Sequence, residues 1–166
     1  MEQSFCYVGE LLHRGDTTIE ALVDRYAAMR EWPHSLNTEI LLRLAHGECE
    51  SVGEFRTDFL CWKQFLPAPL RQFEVRDRSG TVIARTDFAW PEYGVFLEFD
   101  GRVKYQRHLR AGETVTDAVL REKRREELIS ELTGWTCLRL VWADLYQPEH
   151  TALRIKSKLF RSPTAA

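Results

Sequence analysis

The stretch that decides the fold is RTDFAWPEYGVFLEFDG, residues 85–101. Apolar and polar residues alternate on both sides of a Pro-Glu-Tyr-Gly turn signal, which is the pattern of a β-hairpin. If the turn is centred in the middle of that signal, facing residues have numbers that sum to 185. Asp87 then lies opposite Glu98, and Arg85 lies opposite Asp100. Because side chains alternate between the two faces of a strand, these four are expected on one face, with the other face apolar.

Two acidic residues directly opposed across a strand pair need an explanation. Their Cβ atoms lie about 5 Å apart, and like charges at that distance repel. A divalent cation removes the repulsion, and paired carboxylates suit a hard ion such as Mg²⁺. The alternative is a solvated polar face on which Arg85 neutralises the acids, since exposed sheet faces often carry mixed charges. Both interpretations stay open at this point.

The net charge of −2 conceals an uneven distribution along the chain. Residues 1–50 hold nine acids and four bases, and residues 51–166 hold sixteen acids and nineteen bases. The window 101–125 holds eight bases against three acids. A local positive field of this kind suits phosphate binding. The residues expected to contact nucleic acid are Arg102, Lys104, Tyr105 (by base stacking), Arg107, His108, Arg110, Arg121 and Arg124.

The order of the predicted elements indicates an α/β protein with a mixed sheet flanked by helices. An N-terminal helical segment covers residues 1–50, with a capping box at Thr17 and a second helix over 36–45. An α-β-β-β-α-β-α order follows over 51–161, and residues 162–166 are predicted to be a disordered tail. The predicted strands are 72–77, 81–88, 94–99 and 136–142.

Composition excludes several classes of protein. At 166 residues the chain has room for one main core. It lacks the apolar run of about 20 residues that a membrane span requires. Its N-terminus lacks the basic-then-apolar pattern of a signal peptide. Its four cysteines and five histidines lack the spacing of zinc ligands. We therefore expect a cytoplasmic protein with reduced thiols.

The helix expected over 115–132 carries charge on its buried stripe. Glu122, Arg125 and Glu126 share that stripe with apolar residues that include Ile129 and Leu132. Burying unpaired charges costs several kcal/mol each, by an order-of-magnitude estimate. The charged residues therefore either form an Arg–Glu network within the helix or belong to a functional site.

Four motifs in order resemble a known family. They are the Ser-x-Gly-Glu start at residues 51–54, the Arg-x-Asp-Phe-x-Trp-Pro strand at 85–91, the Glu-Phe-Asp-Gly strand at 98–101 followed by Lys-Tyr, and the Glu-Lys-Arg-Arg-Glu helix at 122–126. Their order is similar to that of the restriction-endonuclease-like PD-(D/E)xK superfamily. More narrowly, it resembles the family related to very-short-patch-repair endonucleases, in its actinobacterial branch.

The resemblance implies an αβββαβ nuclease core over roughly residues 51–160. It implies that Asp87 and Glu98 bind Mg²⁺, for which Mn²⁺ would substitute, with the Phe99 carbonyl as a third ligand. At the position of the superfamily's usual lysine, this chain has Asp100. The resemblance implies that this position belongs to the catalytic residues. Lys104 is the first candidate to replace that lysine, and Lys123 is the second.

Glu54 has two interpretations. Ser51-x-x-Glu54 is a capping box, in which the glutamate reaches back to the start of its helix. The resemblance implies a catalytic acid at the same position, and the two roles are compatible.

These observations predict a metal-dependent endonuclease that hydrolyses phosphodiester bonds, with DNA as its substrate. Glu122, Lys123 and Arg125 are expected to support the site. The alternative is a catalytically degenerate nucleic-acid-binding module, or a toxin–antitoxin-type regulatory protein, on a nuclease scaffold. The partners expected are nucleic acid, a second copy in a homodimer, and a protein that binds residues 1–50.

Overall fold

The structure is a computed structural model of the 166-residue chain, and it describes residues 1–33, 35–101 and 114–160. The chain divides into two compact units, Met1–Phe59 and Leu60–Ala166. This division falls inside a helix, whereas the sequence predicts a boundary at residue 50. In the described part of the chain, no helix has the length and apolar character needed to cross a membrane.

The N-terminal unit is helical, as predicted. Its helices are α1 (Glu2–His13), α2 (Ile19–Ala27), α3 (Ser35–Leu44) and the first part of α4 (Val52–Lys63). Three aromatic rings pack together in its core, because Phe5 contacts both Phe55 and Phe59 with ring centroids 6.1 and 5.6 Å apart. This contact between α1 and α4 explains why the compact unit extends past residue 50.

The N-cap of α2 differs from the prediction by one residue. Thr18, not Thr17, has the extended backbone of an N-cap, and its hydroxyl accepts the Ala21 N–H at 3.2 Å. The capping box predicted at Thr17 is therefore wrong. Two adjacent threonines offer equivalent side chains, and the backbone conformation selects between them.

The C-terminal unit contains a four-stranded sheet with helices around it. The strands are β1 (Leu70–Arg76), β2 (Val82–Trp90), β3 (Val95–Asp100) and β4 (Thr136–Val141), in that spatial order. Within residues 60–101 and 114–160, the helices that follow α4 are α5 (Val115–Thr133), α6 (Trp142–Leu145) and α7 (Pro148–Leu159). Strand β2 pairs antiparallel with both β1 and β3, and β4 runs parallel to β3. The predicted α/β class with a mixed sheet and flanking helices is confirmed.

The β2–β3 hairpin has the predicted register. Its turn is a single 3₁₀ turn over Pro91–Tyr93, followed by Gly94 at φ 61°, a left-handed conformation that glycine adopts without a Cβ clash. The three observed pairs are Trp90↔Val95, Ala89↔Phe96 and Phe88↔Leu97. Each pair sums to 185, so the sequence located the turn correctly.

The core of this unit lies between the sheet and α5. One buried cluster consists of Val75, Ala84, Ala89, Phe96 and Ile129. Leu132, which was predicted to be buried, is 52% exposed. Three residues on a helix turn through 300°, so Leu132 lies about 60° around the helix from Ile129 and outside the contact with the sheet.

Strands β1 and β4 are the outer strands of the sheet. On β1, Glu74 and Arg76 are exposed and form an ion pair with each other. The next residues, Asp77 to Gly80, form the turn into β2, where the Asp77 carboxylate accepts the N–H groups of Ser79 and Thr81.

Candidate active site

The two acids predicted to face each other are on neighbouring strands. Asp87 is half-buried on β2, and Glu98 is buried on β3 with 9% of its surface exposed. The observed β2–β3 pairs end at Phe88↔Leu97, and Asp87 and Glu98 are the next residues of the two strands, so their direct opposition stays a prediction. The Asp87 Oδ2 atom accepts the Phe99 N–H at 2.7 Å. The Asp87 carboxylate therefore lies against the β3 backbone, next in sequence to Glu98.

The backbone of β1 is irregular beside this pair. Gln72 has a φ of 46°, in the left-handed region. Its neighbours pair with β2 as Arg71↔Phe88 and Phe73↔Thr86, so Gln72 occupies the position across from Asp87. A non-glycine residue in this conformation costs about 1–3 kcal/mol, and such residues concentrate at functional sites. No signal in the sequence identified Gln72.

Helix α5 supplies a counter-charge to Glu98. The Arg125 Nη2 atom lies 3.0 Å from Glu98 Oε2. The Nη1 group of the same guanidinium donates to the Arg85 carbonyl at 2.5 Å. The interpretation as a solvated face is wrong for Glu98, because that residue is buried beneath α5 with an arginine on its carboxylate.

A second arginine connects the remaining acids. Arg139 is the register partner of Glu98 on β4. Its guanidinium lies 3.8 Å from an Asp100 carboxylate oxygen and donates to Glu126 Oε2 at 2.6 Å. Both Arg125 and Glu126 of α5 thus pair with charged residues of the sheet. An Arg–Glu network at the middle of the helix stays a prediction, because the side chain of Glu122 is outside the description.

The donor set at Asp87 and Glu98 fits Mg²⁺ better than a metal that needs a full protein cage. Among the described residues, no group of three or more His, Cys, Asp or Glu side chains is placed to hold a metal ion. Mg²⁺ usually keeps several waters and takes one or two carboxylates plus substrate phosphates. Two carboxylate side chains therefore meet its minimum requirement.

Several of the predicted site residues lie away from Asp87, Glu98 and their arginines, or in parts of the chain that the structure does not describe. Six residues expected to contact nucleic acid fall in 102–113, which the structure does not describe: Arg102, Lys104, Tyr105, Arg107, His108 and Arg110. Arg121 and Glu122 are on α5, but their side chains are not described. Lys123 and Arg124 are exposed on α5, and Phe99 is buried.

Comparison with known proteins returned nothing for this chain. No protein-family model matches it, and neither the curated proteins nor the solved structures gave a match.

Glu54 belongs to the N-terminal unit, and there it caps helix α4. Its fully buried carboxylate accepts the Glu50 N–H at 2.9 Å and the Ser51 hydroxyl at 2.6 Å. The Ser51 oxygen in turn accepts the Glu54 N–H at 3.3 Å. The structure thus shows a cap, although the backbone donor is Glu50 where the sequence predicts Ser51. A catalytic role for Glu54 stays a prediction.

None of the four cysteines, all of them in the described part of the chain, forms a disulfide. Cys137 lies on β4 as the register partner of Phe96. Burial raises the pKa of the Cys137 thiol, and the nearby Glu126 carboxylate raises it further. A thiol held in its protonated form is a poor nucleophile.

Proposed function

We propose that this protein is a metal-dependent nuclease that hydrolyses phosphodiester bonds in DNA. The observation that carries the proposal is the acidic pair Asp87 and Glu98 on adjacent strands, with the Asp87 carboxylate on the Phe99 N–H. The order α4, β1, β2, β3, α5, β4 supports a restriction-endonuclease-like core.

The acidic pair would hold Mg²⁺, and basic residues that follow in sequence would hold the substrate. A bound divalent ion in such a site activates water for attack and offsets charge on the scissile phosphate. Asp87 and Glu98 supply the oxygen ligands. Gly101 ends β3, and the basic segment that begins at Arg102 supplies positive charge directly after the acids.

The position of the superfamily's lysine is held by Asp100, so another cation must act there. Lys104 is our first candidate, because it follows β3 by four residues. Lys123, the second candidate, is exposed on α5, and no contact with the acidic pair is observed for it.

Nicking of supercoiled plasmid in Mg²⁺ or Mn²⁺ tests this proposal. Asp87→Asn and Glu98→Gln remove one charge each with little change in volume, and we expect each to lower the rate by at least ~100-fold. Glu131→Gln, at an exposed position of α5, is the matched control and should retain activity. Equal nicking by wild type and both site variants, all folded by circular dichroism, would end the nuclease proposal.

A second candidate is a nucleic-acid-binding module without catalysis. The arginines on the acids favour it, because Arg125 and Arg139 supply counter-charge to Glu98 and Asp100 without a metal. It predicts DNA binding in EDTA that weakens steeply with salt. Reversing Lys104 and Arg107 to glutamate should abolish that binding, and unchanged affinity would remove this candidate.

A further inference from the structure

Arg125 joins the two strands that carry the acidic pair. Its Nη2 group is 3.0 Å from the Glu98 carboxylate on β3, and its Nη1 group donates to the Arg85 carbonyl on β2. The Arg125 side chain is 29% exposed, whereas the Glu98 side chain is 12% exposed. Arg125 therefore contacts a mostly buried anion while part of its own side chain is open to solvent.

A positive charge beside Glu98 stabilises its carboxylate in the ionised form. Removing one partner from a buried ion pair is strongly destabilising, because the other charge is left uncompensated. Either the guanidinium or a divalent ion supplies this charge. The two compete, since a metal on the same carboxylate would lie within a few ångströms of the guanidinium and be repelled by it.

We propose that Arg125 is an exchangeable counter-ion for Glu98. It pairs with the carboxylate when no metal is present, and it releases the carboxylate when a divalent cation binds to Asp87 and Glu98. The Arg85 carbonyl keeps the guanidinium close to the site after release, and the exposed part of the side chain gives it room to move. This inference rests on the proposed function, because it assumes that the acidic pair binds a divalent ion.

The exchange makes Arg125 an inhibitor of metal binding. Removal of the Arg125 charge should strengthen Mn²⁺ binding. Removal of a charge at a fully exposed position should have little effect on Mn²⁺ binding, because solvent screens exposed charges. We expect Arg125→Gln to bind Mn²⁺ about tenfold more tightly than wild type, which equals about 1.4 kcal/mol. Arg78→Gln makes the same charge change at an exposed residue of the β1–β2 turn and should leave the affinity unchanged.

The experiment measures Mn²⁺ binding to the full chain by electron paramagnetic resonance of the free ion, without DNA. Thermal unfolding with and without Mn²⁺ gives a second readout. Arg125→Gln should unfold at a lower temperature than wild type in EDTA, and Mn²⁺ should raise its midpoint by more than it raises that of wild type. Glu98→Gln should abolish Mn²⁺ binding and the rise in the unfolding midpoint that Mn²⁺ causes.

If Arg125→Gln fails to fold in EDTA, Arg125→Lys provides the test, because it retains the charge but not the planar two-point contact. We expect a gain in Mn²⁺ affinity of about threefold for that variant. Equal or weaker Mn²⁺ binding by a folded Arg125 variant would overturn the exchange while leaving a metal site intact. Absence of Mn²⁺ binding in every protein would instead remove the metal-dependent nuclease from which the inference starts.

Discussion

Truncation of Glu54 tests the cap of α4 most directly. In Glu54→Ala, the Glu50 N–H and the Ser51 hydroxyl lose the carboxylate that accepts them at 2.9 and 2.6 Å. A hydrogen bond to a charged group contributes about 1.5–3 kcal/mol, and loss of a cap costs about 0.5–2 kcal/mol. These terms overlap, so we expect the free energy of unfolding to fall by about 3 kcal/mol. For a chain of this length the melting temperature should fall by about 6–12 °C.

Urea unfolding followed by far-ultraviolet circular dichroism measures this change. Glu54→Gln keeps one acceptor oxygen and should lose only about 1 kcal/mol. Glu31→Ala removes an exposed glutamate from the same unit and should be close to neutral. All measurements are made in EDTA and repeated in Mg²⁺.

A loss below about 0.5 kcal/mol for Glu54→Ala would refute the capping argument, because surface substitutions fall within that range. A loss that occurs only in Mg²⁺ would indicate that Glu54 binds a metal. A cap predicts the same loss in both buffers.

Three other predictions concern packing and ionisation. Gly9→Ala should lower the free energy of unfolding by about 1–3 kcal/mol, because an added Cβ would lie 2.2 Å from the buried Phe55 ring; urea unfolding measures this. Burial, followed by the charge of Glu2, raises the pKa of the Cys6 thiol to about 11, so alkylation of Cys6 at pH 8, followed by mass spectrometry, should be about a hundredfold slower than that of a thiol of ordinary pKa. The Ser79 hydroxyl beside Asp77 lowers the pKa of that carboxyl, so Asp77→Asn should be less stable than wild type at pH 7. That difference should vanish as the pH falls through the lowered pKa of Asp77, and a difference that persists below it would contradict the assignment.

The hairpin could be predicted from sequence because its information is local. Alternation of apolar and polar residues set the two strands, and the Pro-Glu-Tyr-Gly sequence set the turn, so the register of Phe88↔Leu97 followed. The same local information brought Asp87 and Glu98 to adjacent strands. Helix α5 was predicted over 115–132, and Gly134 is the C-cap at its observed end, whereas the capping box at Thr114 was not identified from the sequence.

Arg125 was expected to support the site, but which acid each arginine pairs with could not be predicted, because the pairing depends on how distant elements pack. Arg125 follows Glu98 by 27 positions. Arg139 contacts Asp100 from the parallel strand β4, which helix α5 separates from β3 along the chain. The left-handed Gln72 was equally inaccessible, since glutamine has no preference for that conformation. Sequence therefore located the acids, and tertiary packing decided their counter-charges.

The outer position of β1 has a consequence for self-association. An outer strand offers unpaired backbone groups to any passing strand, and charged side chains on it discourage such pairing. The exposed Glu74 and Arg76 on β1 give this edge alternating charge. A second copy that added its own strand here would have to desolvate both side chains. A two-subunit enzyme that cuts both DNA strands would therefore be expected to assemble through surfaces other than this edge.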